Sequence, residues 1–223
     1  EKTSDKDIIP YVPADPTNPT NPDDKNVPKV DDENKPINKD DYDIVAFVTE
    51  SEEKGTLTKG TDTEKKAISV LVKKTAADKT FGKIKGEIKA VAKGEYKFWF
   101  WDKDGDQTKT AVKDTDNILQ GTRPNPTDRL TETYKAYFIK SGDEVGKDDP
   151  ELPDGMFKVT YKVGEGLKEF VEGEGQQEKK YAEKTVAVEK GTTEDKLPGK
   201  PVKANTNTTP AKAVTSLTWT ADP

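Results

Sequence analysis

Asp43-Ile44-Val45-Ala46-Phe47-Val48 can be laid over Phe157-Lys158-Val159-Thr160-Tyr161-Lys162. The overlay sets Val45 on Val159 and Phe47 on Tyr161, alternate positions that share one face of a strand. Further landmarks keep the same order. Glu64-Lys65-Lys66 falls on Glu178-Lys179-Lys180, Ser69-Val70-Leu71-Val72 on Thr185-Val186-Ala187-Val188, and Trp101 on Trp219. The offset drifts only from 114 to 118 residues, as small loop insertions would produce. Internal repetition with this order predicts two related modules in tandem.

Around these landmarks the apolar residues fall in short or alternating runs bounded by Gly, Asp, Asn and Lys, which is the strand pattern. Strands are expected over residues 44–48, 67–72, 96–101, 131–139, 157–163, 181–188 and 214–219. Helix is expected only as short pieces over 75–79 and 192–197, where a small polar residue precedes Asp or Glu. The fold class is therefore mainly β, with an α+β arrangement as its variant. The modules are expected over 39–143 and 151–223, joined by an acidic linker over 144–150. The second module has no counterpart to the strand at 131–139.

Residues 1–38 hold seven of the fifteen prolines, and Pro10, Pro13, Pro16, Pro19 and Pro22 recur every third position. Polyproline II has three residues per turn, so this spacing predicts an extended stalk that packs on no core. The chain begins at Glu1, not methionine, and is expected to be part of a longer polypeptide that carries its export signals and anchor elsewhere.

Hydrophobic residues make up 30% of the chain and charged ones 36%, so each core must be thin. The net charge of -6 arises from 43 acidic and 37 basic residues scattered throughout, which leaves no basic stripe for nucleic acid. No apolar stretch reaches the length of a membrane span, and no membrane insertion is expected within the chain. Histidine and cysteine are both absent, which removes the Ser-His-Asp triad, the Cys-His dyad and the commonest metal ligands. Paired carboxylates could still act on a glycosidic bond, but no local motif marks such a pair, and no enzyme is expected.

Two segments carry candidate chemistry. In Asp102-Lys103-Asp104-Gly105-Asp106 the three carboxylates alternate around a glycine bend and could converge on Ca²⁺, although the glycine precedes the third acid and Lys113 stands where a calcium loop has its closing glutamate. The same residues also suit an acidic turn after a strand. In Phe98-Trp99-Phe100-Trp101, strict alternation puts Trp99 and Trp101 on one face. That face would either lie under the loop at 108–129 or stand open to a glycan or a host protein.

The order of Asp7-Ile-Ile-Pro-Tyr-Val-Pro, a strand after Asp40-Asp-Tyr, a Lys-Lys or Glu-Lys-Gly segment after a middle strand, and an aromatic strand ending in Trp101-Asp-Lys-Asp resembles the tandem repeats of wall-anchored surface proteins of Firmicutes. The second module has Thr218-Trp219-Thr220-Ala221-Asp222 at the corresponding place. The resemblance, to β-grasp-like modules such as internalin-type B-repeats, implies display or adhesion at the surface of a Gram-positive bacterium. It further implies an extracellular, wall-anchored, monomeric chain without a cofactor, whose partner is a host protein or glycan.

Overall fold

The computed structural model describes residues 2–104 and 109–220. The protein is mainly β and divides into two compact units, residues 1–139 and 140–223.

The first unit contains β1 (Ile8–Tyr11), β2 (Tyr42–Thr49), β3 (Gly55–Lys59), β4 (Ala67–Lys73), α1 (Phe81–Lys85), β5 (Ile88–Ala92), β6 (Lys97–Lys103) and β7 (Thr131–Ile139). Five of these strands form one sheet in the order β1-β4-β2-β7-β6, while β3 and β5 pair separately. All pairings in the main sheet are antiparallel except β2 with β7. The two central strands β2 and β4 are apolar at nearly every position because both of their faces are covered. On one face Val45, Phe47, Ile68, Val70 and Val72 meet Phe81 and Ile84 of α1, Leu57 of β3, and Trp101 and Tyr134. Gly55 opens β3 because a Cβ there would overlap the Phe138 ring. On the other face Ile44 and Leu71 pack with Ile9, Tyr11 and Tyr42.

That second face corrects the expectation of a stalk. β1 lies antiparallel on β4, with Ile9 opposite Leu71 and Tyr11 opposite Ser69. Val27 and Ile37 pack on the same cluster. The proline period has a different cause from the one expected. The amides of Asn18, Asn21, Asp24 and Val27 each donate to the carbonyl three residues back, those of Asp15, Asn18, Asn21 and Asp24. Pro16, Pro19 and Pro22 thus occupy the second positions of consecutive β-turns, and each follows an Asp or Asn, the residues favoured at the first position. The string of turns is tied down where Ser69 Oγ donates to the Pro19 carbonyl at 2.6 Å. A second tie is Asp31, whose carboxylate accepts from Ser4 Oγ at 2.6 Å and from the Glu33 and Lys35 amides.

The helix expected at 75–79 forms instead at Phe81–Lys85. Its position follows the buried pair Phe81 and Ile84, one turn apart on the same face, and Gly86 at φ 52° ends it.

The second unit contains β8 (Met156–Lys162), β9 (Leu167–Glu172), β10 (Lys179–Tyr181), β11 (Glu183–Glu189), β12 (Ala204–Thr206) and β13 (Ala213–Val214). β8 pairs with β11, and the others form a sheet in the order β10-β9-β12-β13. Residues 142–145, expected in or beside the linker, run along the far edge of β11. Gly142 N donates to Ala187 O at 2.8 Å, and Val145 N to Thr185 O at 3.0 Å. The core gathers Tyr161, Phe170, Val186, Val188 and Ala204, with Trp219 packed against it. The strand expected over 214–219 is confined to β13, and the expected helix at 192–197 is a single 3-10 turn, Glu194–Lys196.

Candidate functional site

Strand β6 carries the aromatic segment and the start of the acidic one, and its geometry turns on one irregularity. Phe98 lies opposite Phe138, but Phe100 lies opposite Tyr137, so the register slips by one residue at Trp99. A β-bulge of this kind places two neighbouring side chains on one face and breaks the alternation. The consequence corrects the expected tryptophan pair. Trp101 is only 7% exposed and faces the core, with its ring edge-on to Phe47 at 5.5 Å and 6.2 Å from Phe81. Phe98 shares that face, 5.8 Å from Trp101. Trp99 stands on the opposite face beside Phe100, ring centres 5.0 Å apart and nearly perpendicular.

Phe100 in turn lies parallel to Tyr137 of β7, at 5.0 Å and 10°. Trp99 and Tyr137 are half-buried, while Phe100 is buried between them. This row of three rings is the aromatic surface of the first unit. Phe100 and Tyr137 were not expected in it, because their contribution depends on the bulge and on a partner strand more than thirty residues away.

Of the expected cation ligands, Asp102 lies in β6, Asp104 in the turn just after it, and Asp106 outside the described residues. Asp102 is buried in the register position opposite Lys135, and Asp104 receives the Lys135 ammonium at 3.0 Å. Among the described residues no group of three potential ligands could hold a metal ion. The lysine ammonium supplies positive charge beside these carboxylates. Its own pKa is raised, chiefly by the hydrogen bond to Asp104, and burial raises that of the Tyr137 phenol nearby. The surface therefore presents stacked rings flanked by an ion pair, which suits contact with a sugar ring or an apolar side chain.

The loop leading into β7 is fastened by the chain's two arginines. Arg123 meets both carboxylate oxygens of the fully buried Asp43, and Arg129 donates to the carbonyls of Tyr42 at 2.8 Å and of Lys39. In a chain where every other cation is lysine, these two positions use the rigid guanidinium fork.

A second surface lies on the second unit. Lys147, Lys158 and Lys162 line a shallow groove of about 400 Å³, together with Thr160, Thr185 and Val145. The hydroxyls of Thr160 and Thr185 bond across the strands at 2.8 Å.

Comparison of the chain with family models, curated proteins and solved structures finds no match.

Proposed function

We propose that this chain is a non-enzymatic display region of a Gram-positive bacterial cell-surface protein, in which two copies of one β module hold a binding domain away from the cell wall. The observation that carries this reading is strand register. Val45 pairs with Val70 in the first unit, and Val159 with Val186 in the second. These are the residues that the sequence overlay makes equivalent. Leu57 faces Ala90 on one side and Lys65 on the other, as Phe170 faces Ala204 and Tyr181, with Tyr181 two residues past Lys179, on which the overlay sets Lys65. Pro10 lies opposite Val70 on the outer edge, as Glu144 lies opposite Val186. Four pairings in the same order support one module used twice, since a chance likeness of lysine-rich strands has no reason to preserve partners. Repeated modules with thin cores and a charged surface suit spacing and display.

A second reading is favoured by the Trp99, Phe100 and Tyr137 row: the first unit is itself the binding unit for a host glycan or protein. One experiment separates the two. The immobilised chain is exposed to a panel of host glycans and extracellular-matrix proteins, alongside a Trp99→Ala variant. The display reading expects no specific retention. Specific retention that is lost in the variant would replace it with the binding reading.

A further inference from the structure

The two units differ at one edge. In the first, β2 is bonded on both sides, to β4 and to β7. Its even-numbered amides point to β7: Ile44 N donates to Leu130 O at 3.1 Å, and Glu50 N to Ala136 O at 3.0 Å. In the second unit β8 holds the equivalent place, yet among the described residues only β11 pairs with it. Val163 N donates to Ala182 O at 3.0 Å, which fixes the odd-numbered amides of β8 toward β11. The N–H groups of Lys158, Thr160 and Lys162 therefore point off the open edge.

The side chains register the same difference. Val45 is 0% exposed beneath the completed sheet, whereas its equivalent Val159 is only half-buried and Phe157, next along that face, is 40% exposed; Tyr161, the equivalent of Phe47, is buried beside Trp219. An edge of seven residues with apolar side chains beside it is a template for another strand.

We propose that the open edge of β8 is an acceptor for an extended segment of a partner protein, which adds to it as a parallel strand. β7 supplies the pattern for that segment. Tyr134 of β7 lies opposite Phe47, so an aromatic residue of the partner would lie opposite Tyr161. On the other face the partner's side chains would border Lys158 and Lys162, of which Lys162 already lies opposite Glu183, so an acidic residue fits best beside Lys158. The occupant is thus an extended peptide with an aromatic residue on one face and an acidic one on the other, held by backbone bonds and selected by that alternation. The inference rests on the equivalence of β2 and β8.

The probe is a peptide copying residues 130–140 with Glu in place of Thr133, titrated onto the full chain. Saturable binding is expected, with slowed hydrogen exchange at the Lys158, Thr160 and Lys162 amides. A Thr160→Pro variant removes one outward donor and leaves the β11 ladder intact, so affinity should fall about tenfold, as for one lost backbone hydrogen bond. Absence of saturable binding overturns the proposal, as does protection elsewhere than on β8. Exchange in the unaltered chain decides the matter even where the proline variant fails to fold. Protection of the same amides by concentration alone, without peptide, would make a second copy the occupant and overturn the proposal as stated. If the equivalence itself is wrong, cross-strand contacts of β8 with β11 will show a different register, whereas failure of the edge proposal leaves that register intact.

Discussion

Arg123 grips Asp43 at both carboxylate oxygens across eighty residues of sequence. Asp43 is wholly buried in β2, and its Oδ1 also accepts the Leu130 amide at 2.9 Å. The carboxylate thus fixes both the loop before β7 and the start of that strand. Arg123→Met should cost about 3–5 kcal/mol, because it leaves a buried charge with no counter-ion. The double variant with Asp43→Leu should cost less than the two single changes combined, since it removes the orphan charge as well. Urea unfolding of the first unit measures both. A loss below about 1 kcal/mol for Arg123→Met, the range of exposed pairs, would show that the pair is not structural.

The bulge at Trp99 gives the two neighbouring tryptophans opposite fates. Trp101→Ala should destabilise the first unit by about 3–5 kcal/mol, as for a large aromatic removed from a core. Trp99→Ala, at a half-buried surface ring, should cost about 1 kcal/mol. Trp219, between Tyr161 at 5.2 Å and Phe170 at 5.6 Å, should behave in the second unit as Trp101 does in the first. Thermal unfolding of the three variants checks this order, and equal losses at positions 99 and 101 would contradict the bulged register.

What could be read from the sequence follows from burial. The runs at 44–48 and 67–72 are long and apolar because β2 and β4 are covered on both faces, and that pattern is unmistakable. β1, β3 and β12 lie in runs too short or too polar to stand out, and they become strands only through their partners. The proline period was visible, but three residues per turn describes polyproline II and a chain of turns equally well. The Asp or Asn before Pro16, Pro19 and Pro22 was the signal that distinguished them. Alternation alone does not locate a bulge, so it places Trp99 and Trp101 on one face where the slipped register separates them. The ties made by Arg123 and Arg129 had one trace in the sequence, the rarity of arginine among so many lysines.

Residues 1–11 are expected to be part of the cooperative unit. Ile9 and Tyr11 are 9% and 8% exposed, and β1 covers one edge of β4. Deletion of residues 1–11 should lower the unfolding midpoint of the first unit, and Ile9→Ala alone should cost about 2 kcal/mol. Limited proteolysis that removes residues 1–30 with no change in that midpoint would restore the stalk.

Alkaline pH should weaken both units through their buried phenols. Tyr42 donates its hydroxyl to the Lys6 carbonyl at 2.9 Å, Tyr134 to Glu132 at 2.6 Å and Tyr161 to the Pro198 carbonyl at 2.7 Å. Each bond needs the proton, and burial raises all three pKa values above the ordinary 10.0, with the Glu132 carboxylate pushing Tyr134 further in the same direction. In the unfolded chain these phenols ionise near 10.0, whereas in the native state they do not. The native state therefore binds more protons above that pH, and stability must fall as pH rises. The contribution is fully present below the unfolded value and is lost on passing upward through the raised native ones. Tyr134→Phe should lower stability at neutral pH by the loss of its hydrogen bond, about 1 kcal/mol, while flattening the decline above pH 10.0. Denaturant melts across that range, read with phenolate absorbance, provide the check. An unchanged slope in the variant would assign the alkaline loss to the lysines.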